Sequence, residues 1–444
     1  MKLLHIKTLS PIHIGSGEVA NGLSYLVDPR KDPMKVYFFQ FQQIARILNP
    51  IRMEKFAQWI ENQKFLNIKK FALDELQDRG LLDKIQNNCL YSLDGYGRRD
   101  GDRMRIDRNI EIFLKTFHYQ PYIPGSEIKG AMRTAVLYHL LQQDSNYNIL
   151  KKKIETFRDN FANALSLFKK DRKASSYIDE NDLRSIPHFE LEKIFGSKRA
   201  NEIRNRLKGR GRTNIKVSDI KRNFVKIMSK IEEKVEKNLM RGLEDNAKYD
   251  ILKLLSISDS DSKKPEKCLF VSSLEVVNIS RKFPLFQEFC KKGEEFVASI
   301  TLISNKLVNS SLGFSKNQQR LTNYDVLLSC CYEFSKRLLQ EEIEYFKNQG
   351  KYQSVLKELK EIERQNTRQT PVVRIGKDQG YLSFTISMLI KDRDPELYQN
   401  VVVHATKNTS YSSSFPKTRR IIAVSRNGRT EYLPLGWVKL SVEN

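Results

Sequence analysis

The chain has 444 residues, 40% of them hydrophobic, enough for two or three domains with real cores. Lysine and arginine number 77 against 53 acids, a net charge of +24, which points to a polyanionic partner unless the surface is kept basic for solubility alone. No apolar run nears the roughly 18 residues of a membrane span, and Met1-Lys2-Leu3-Leu4-His5 leads straight into alternation rather than a signal peptide.

Residues 2–14 alternate as a strand should, with Leu4, Ile6 and Thr8 on one side, and Pro11 marks an edge or a bend. His13, at the apolar end, reads as a packed histidine. Gly15-Ser16-Gly17 follows as a turn that can bring backbone amides to a phosphate. Strands are expected at Leu23 to Val27, ending in Asp28-Pro29, and at 35–39. Helical character runs over Phe41 to Leu48 and Met53 to Leu66. Residues 94–108 set Arg98, Arg99, Arg103, Arg105 and Arg108 among Gly95, Gly97 and Gly101, a mobile basic loop suited to RNA backbone contacts.

Pro121 to Leu141 reads as an extended segment, a turn at Pro124-Gly125 and a helix. Ser126 is the expected N-cap, and Ile128, Met132, Ala135, Val136 and Leu140 form the buried stripe. Free amides at the helix start, with Lys129 and Arg133 further in, suit a phosphate, although Glu127 puts an anion in the first turn. An ordinary capped core helix explains the same residues. Residues 142–260 read as mainly helical and basic. From Lys198 to Lys226 cations dominate, and Lys208-Gly209-Arg210-Gly211-Arg212 is a cationic tip expected to order only on a partner. Ser256 to Lys264 reads as a linker.

Alternation returns at Cys268 to Val277 and Glu295 to Ile303, followed by helices over Tyr324 to Phe346 and Tyr352 to Arg364. The five cysteines, Cys89, Cys268, Cys290, Cys330 and Cys331, are odd in number and contain no Cys-x-x-Cys pair. That argues against zinc and a disulfide scaffold and suits a reducing, cytoplasmic setting. In Arg374-Ile375-Gly376-Lys377-Asp378-Gln379-Gly380, two glycines bracket a lysine, again offering amides beside cations. The closing Gly-Lys-Ser or Gly-Lys-Thr of a nucleotide-hydrolysing loop is missing. Asn427-Gly428 makes a hairpin turn between Ile421 to Val424 and Tyr432-Leu433.

Four segments together resemble the RAMP proteins of type III CRISPR effector complexes. They are Thr8-Leu9-Ser10-Pro11-Ile12-His13-Ile14-Gly15-Ser16-Gly17, Tyr122 to Thr134, Arg374 to Leu382, and Leu435-Gly436-Trp437-Val438-Lys439-Leu440. Their order and the length look most like the fifth subunit of type III-A (Csm) complexes. The resemblance implies an α+β fold of two ferredoxin-like (RRM-like) RAMP domains, residues 1–141 and 261–444, with residues 142–260 as a helical insert. It implies a subunit that is generally not itself catalytic, caps the filament at the 3′ part of the CRISPR RNA and supports 3′-end maturation; no cofactor or metal is expected. The implied partners are CRISPR RNA, with target RNA as a second candidate, the neighbouring RAMP backbone subunit, other Csm subunits and host nucleases, with no membrane.

The residues themselves add a mechanism: Gly15, Ser16, Gly17, Gly125, Ser126, Gly376 and Gly380 would approach RNA through amides, while Lys129, Arg133, Arg374 and Lys377 neutralise phosphates. Two alternatives stay open. A RAMP-fold endoribonuclease would use Asp28 or His13, and a basic scaffold would bind only proteins.

Overall fold

The computed structural model describes residues 1–443 apart from 64–65, 101–102, 168–182, 185, 196, 209–229, 232, 244–245, 279–284, 304–310, 400–415 and 427–428. Strand β1 (Lys2–Thr8) buries Leu4, Ile6 and Thr8 and exposes Leu3, His5 and Lys7, as its alternation dictates. It lies antiparallel between β12 (Glu295–Leu302) and β16 (Trp437–Val442). With β9 (Leu255–Ile257) and β13 (Val372–Arg374) they form a five-stranded sheet in the order β13-β16-β1-β12-β9.

The second sheet has a path β2-β8-β11-β10-β5-β4-β3. Its members are β2 (Gly15–Ala20), β3 (Tyr25–Asp28), β4 (Met34–Phe38), β5 (Tyr91–Tyr96), β8 (Ile110–Phe113), β10 (Leu269–Val276) and β11 (Leu285–Cys290). One edge of β10 serves two partners. Phe270 to Ser272 pair parallel with β5, and Ser273 to Val276 pair antiparallel with β14 (Arg420–Arg426), which carries β15 (Arg429–Leu433). Arg426 faces Arg429 across this hairpin, the register an Asn-Gly turn sets, and the turn itself lies outside the described residues. Each sheet takes strands from both halves of the chain, so the architecture is mixed α+β built from interleaved segments.

Several sequence expectations are corrected. Gly15-Ser16-Gly17 opens β2 instead of forming a free turn. The register against β8 is irregular between Gly15 and Val19, and Gly17, with φ of 86°, supplies the left-handed residue such an irregularity uses. The basic loop is partly a hairpin, β6 (Arg98–Asp100) against β7 (Arg103–Arg105). Ser256 to Lys264 is no free linker. Ser258 and Asp261 bond through their amides to Ser299 and Val297, while the amides of Ser260 and Lys263 bond to the carbonyls of Ile123 and Pro121. The Ser and Asp side chains that suggest solvation act as acceptors here, Ser260 from the Ile123 amide and Asp261 from that of Val297.

Strands β5, β8 and β11 also fall outside the segments expected to be strands. β11 is buried on both faces yet holds Gln287 and Glu288, which break the hydropathy pattern. The main core joins β1, the Gly125–Leu141 helix and the Tyr324–Lys347 helix, where the rings of Tyr138 and Phe334 meet edge-on at 5.3 Å. A smaller cluster, with Tyr96, Phe270, Phe289 and Ile422, lies on the opposite face of the second sheet from Leu269 and Val271. Described residues between 144 and 254 are mainly helical, including Asp144–Leu167, His188–Phe195 and Ser197–Lys208, with one isolated bridge between Arg241 and Asp250. Of the cationic tip, Lys208 ends a helix and 209–212 lie outside the described residues.

Candidate nucleic-acid interface

Two of the glycine motifs, far apart in sequence, meet in space. The backbone of Gly376 (φ 83°) turns so close to His13 that a Cβ would come within 2.4 Å of the His13 carbonyl, so only glycine fits. The Lys377 amide donates to that same carbonyl at 2.8 Å. The Gly376 amide donates to a Glu127 oxygen at 3.0 Å, which ties the third motif to the Gly125 helix. The Lys377 side chain runs beside Gly15 and ends on Glu111, 2.8 Å from each carboxylate oxygen. Gly17 and Gly380, both with positive φ, face open space, with nothing within 4 Å of where a Cβ would be. The result is an exposed patch of Gly15, Gly17, Lys377 and Gly380, with Ser16 half-buried and its hydroxyl turned back to the Ile112 carbonyl.

A polar cluster supports this patch from below. The Gln287 amide nitrogen donates to Glu111 at 2.6 Å and to Asp378 at 2.8 Å, and Asp378 in turn pairs with the half-exposed Arg420. Burial works to raise the Glu111 pKa, but the Lys377 ammonium and the Gln287 amide outweigh it and hold the carboxyl below its usual range. Two cations, Lys377 and Arg420, are thus anchored by their acids with about half of each side chain left at the surface, where a phosphate can approach them.

The Gly125 helix is employed differently from the sequence expectation. Pro124 occupies the N-cap position and the helix starts at Gly125, so Ser126 is an exposed first-turn residue and not the cap. The Gly125 amide donates to the Asp259 carboxylate at 3.0 Å, an anion supplied by the chain itself. A Cβ on Gly125 would lie 2.2 Å from the Ile257 carbonyl oxygen, so this glycine packs inward against β9. Lys129 donates to the Leu255 carbonyl at 2.6 Å, and burial lowers its pKa. Arg133 clamps Asp250 at 2.6 and 3.1 Å and also bonds Glu236. The cations on this helix are spent on internal partners because the helix face lies against β9 and the 230–250 segment.

Arg374 also turns inward. Its side chain is 4% exposed, and the guanidinium lies 5.3 Å from the Trp437 ring centroid and donates to the Leu435 carbonyl at 2.9 Å. Buried Glu342 sits between Arg374 at 3.5 Å and Arg419 at 2.5 Å. Gly125 and Arg374 are buried, and Lys129 and Arg133 are half-buried with internal partners, so these four offer less to a phosphate than the exposed patch does.

The two catalytic candidates are enclosed as well. His13 is fully buried, and its Nδ1–H donates to the Glu288 carbonyl at 2.7 Å. A carbonyl only accepts, so Nε2 is left as a bare lone pair; it has no hydrogen-bond partner and lies 3.8 Å from Glu111. Burial lowers the His13 pKa against the pull of the surrounding carboxylates. Asp28 is buried and held by Arg30 through both oxygens, at 2.8 and 3.0 Å, which lowers its pKa. Among the described residues no group of three His, Cys, Asp or Glu side chains could hold a metal ion, and no helix is long and apolar enough to cross a membrane.

Sequence reasoning missed Glu111, Gln287 and Arg420, and left Asp378 without a role. Glu111 and Gln287 sit on the unrecognised strands β8 and β11. The alternation Ile110-Glu111-Ile112 was the available signal for the first.

A family model described as the RAMP superfamily matches residues 5–402. The chain belongs to the RAMP superfamily. Within it, two curated relatives named CRISPR system Cms protein Csm5 are similar. The one from Enterococcus italicus is 27% identical over 149 residues, 30% of this chain and 41% of that protein. The one from Streptococcus thermophilus is 26% identical over 145 residues, 30% of this chain and 37% of that protein. The aligned stretch thus spans about two-fifths of the length of these relatives. Among solved structures, a chain of a Csm–crRNA–target RNA ternary complex of a type III-A CRISPR-Cas system superposes with a TM-score of 0.63 at 21% identity, covering 99% of this chain and 100% of that one. The crystal structure of T. onnurineus Csm5 gives a TM-score of 0.59 at 20% identity, covering 98% and 99%. This RAMP protein thus resembles Csm5 proteins in sequence over about a third of its length and shares the fold of the two solved chains over nearly all of it.

Proposed function

We propose that this RAMP protein is a non-catalytic, cytoplasmic RNA-binding subunit of a type III-A CRISPR ribonucleoprotein. It caps the filament at the 3′ part of the CRISPR RNA, beside a neighbouring RAMP backbone subunit and other Csm subunits. There it supports 3′-end maturation, with trimming done by recruited host nucleases. Residues 1–141 and 261–444 act as two ferredoxin-like units that share their sheets, and 142–260 is the helical insert.

The observation that carries the reading is the patch where Gly15–Gly17 and Lys377–Gly380 meet. It offers unobstructed backbone at two left-handed glycines beside the ammonium of Lys377 and the guanidinium of Arg420. Such a surface grips a sugar-phosphate chain without reading bases, as a subunit that accepts any spacer needs. The buried positions of His13 and Asp28 favour a binding role over cleavage.

The test is the affinity of the full chain for unrelated single-stranded RNAs across a salt series. Lys377→Ala and Arg420→Ala should each reduce the log-log salt slope by about 0.7 for every phosphate the side chain neutralises in the wild-type chain. An unchanged slope in both removes the patch from the RNA path. Salt-independent or absent affinity would favour the protein-only scaffold, and RNA cleavage by the pure chain would favour the endoribonuclease.

A further inference from the structure

A second concavity lies on the same sheet face as the glycine patch. On β11, Gln287 supports the patch, and Phe289, two residues on and about 7 Å along the strand, faces the same way. Phe270 stands opposite Phe289 on β10, and its ring meets Tyr96 edge-on at 5.6 Å. Tyr96, Phe270, Val424 and Leu433 contribute to an open cavity of about 370 Å³, within the size range of nucleotide-sized ligands. Lys291, Lys292, Arg429 and a single acid, Glu431, also line it. Lys291 is braced by the Lys267 carbonyl at 2.9 Å, and Lys292 pairs with Glu358. Arg429 is exposed on the β14–β15 hairpin. The arginine hairpin β6–β7 starts two residues after Tyr96, so the cavity lies at its root.

We infer that this cavity is a nucleotide subsite, in which a base lies on the Tyr96–Phe270–Leu433 floor and its phosphate meets Lys291 and Arg429. The inference rests on the RNA-binding reading and deepens it by adding a base-accepting pocket beside a surface that grips only the backbone. Charge complementarity decides between occupants: three cations around an aromatic floor match a flat ring carrying a phosphate better than an apolar protein side chain. The phosphate and base belong either to one unit of the bound strand or to a free mononucleotide.

The experiment uses the full chain and single-stranded RNA carrying 2-aminopurine at each position in turn, with adenosine monophosphate as competitor. Two variants probe the cavity. Leu433→Trp fills it, and Lys291→Glu with Arg429→Glu reverses its surface charge without touching the core. The expected result is a change in 2-aminopurine emission at one register, abolished in both variants, with RNA affinity lowered at least about fivefold. Competition by adenosine monophosphate at that register identifies a mononucleotide as sufficient; its failure assigns the pocket to a unit of the strand. If both variants keep wild-type affinity and emission while Lys377→Ala weakens binding, the pocket is overturned and the RNA-binding reading stands. If no register responds in the wild-type chain although RNA binds, the subsite is likewise overturned and a protein side chain becomes its occupant. If the wild-type chain binds neither RNA nor mononucleotide, both readings fall together.

Discussion

Arg374 and Arg419 share one buried acid, and that asymmetry predicts an ordering of variants. Glu342, Arg374 and Arg419 have side chains 5%, 4% and 4% exposed, with Glu342 at 3.5 Å from the first arginine and 2.5 Å from the second. Glu342→Gln keeps the shape but leaves two buried guanidiniums facing each other without a counter-charge. Breaking a buried ion pair by removing one partner costs about 3–5 kcal/mol, and the upper half of that range is expected here. Arg374→Met is milder, because Glu342 and Arg419 remain a matched pair. It loses the bond to the Leu435 carbonyl and the stacking on Trp437, together about 2 kcal/mol. Chemical denaturation followed by tryptophan fluorescence reads both values, since the chain has two tryptophans and Trp437 lies under Arg374. Arg374→Met costing as much as Glu342→Gln would refute the shared-acid argument. A fall of about 0.7 in the RNA salt slope of Arg374→Met, with stability intact, would return Arg374 to phosphate binding.

Three further outcomes follow from the same geometry. Arg133→Met should lose about 2 kcal/mol, between the limits for surface and buried pairs, because Asp250 is left nearly buried; the RNA salt slope should not move, and a reduced slope at unchanged stability would contradict this. Gly125→Ala should destabilise by about 3 kcal/mol or more, since its Cβ meets backbone at 2.2 Å. Gly130→Ala, in open space on the same helix, should stabilise by about 0.5–1 kcal/mol, and equal effects at both sites in thermal melts would refute the packing argument. His13 has its pKa lowered by burial from 6.5, so below that pH the unfolded chain takes up a proton the folded one refuses. The stability present above pH 6.5 should therefore fall as the medium is acidified toward the folded-state pKa, and His13→Gln should flatten that part of a Tm–pH series; parallel curves would show His13 is not responsible.

Periodicity alone was enough to find β1, although the strand ends at Thr8 and not at Ile14, and to find the Gly125–Leu141 and Tyr324–Lys347 helices, because burial on one face writes a repeat of two or of three to four into the sequence. The family was legible for a related reason: glycines at Gly15, Gly125 and Gly376 stand in fixed order among apolar and basic residues. What each glycine is for was not legible. Gly17 and Gly380 face open space, whereas Gly125 and Gly376 are glycines because another segment's carbonyl presses on them. The same holds for charge. Lys377 ends at the surface, while Lys129, Arg133 and Arg374 find carbonyls and carboxylates on segments more than thirty residues away. A sequence fixes which residues carry charge and which bends are cheap. Whether a cation meets solvent or a buried acid depends on which distant strand is laid over it, and that is settled only when the two sheets close around β1 and β10.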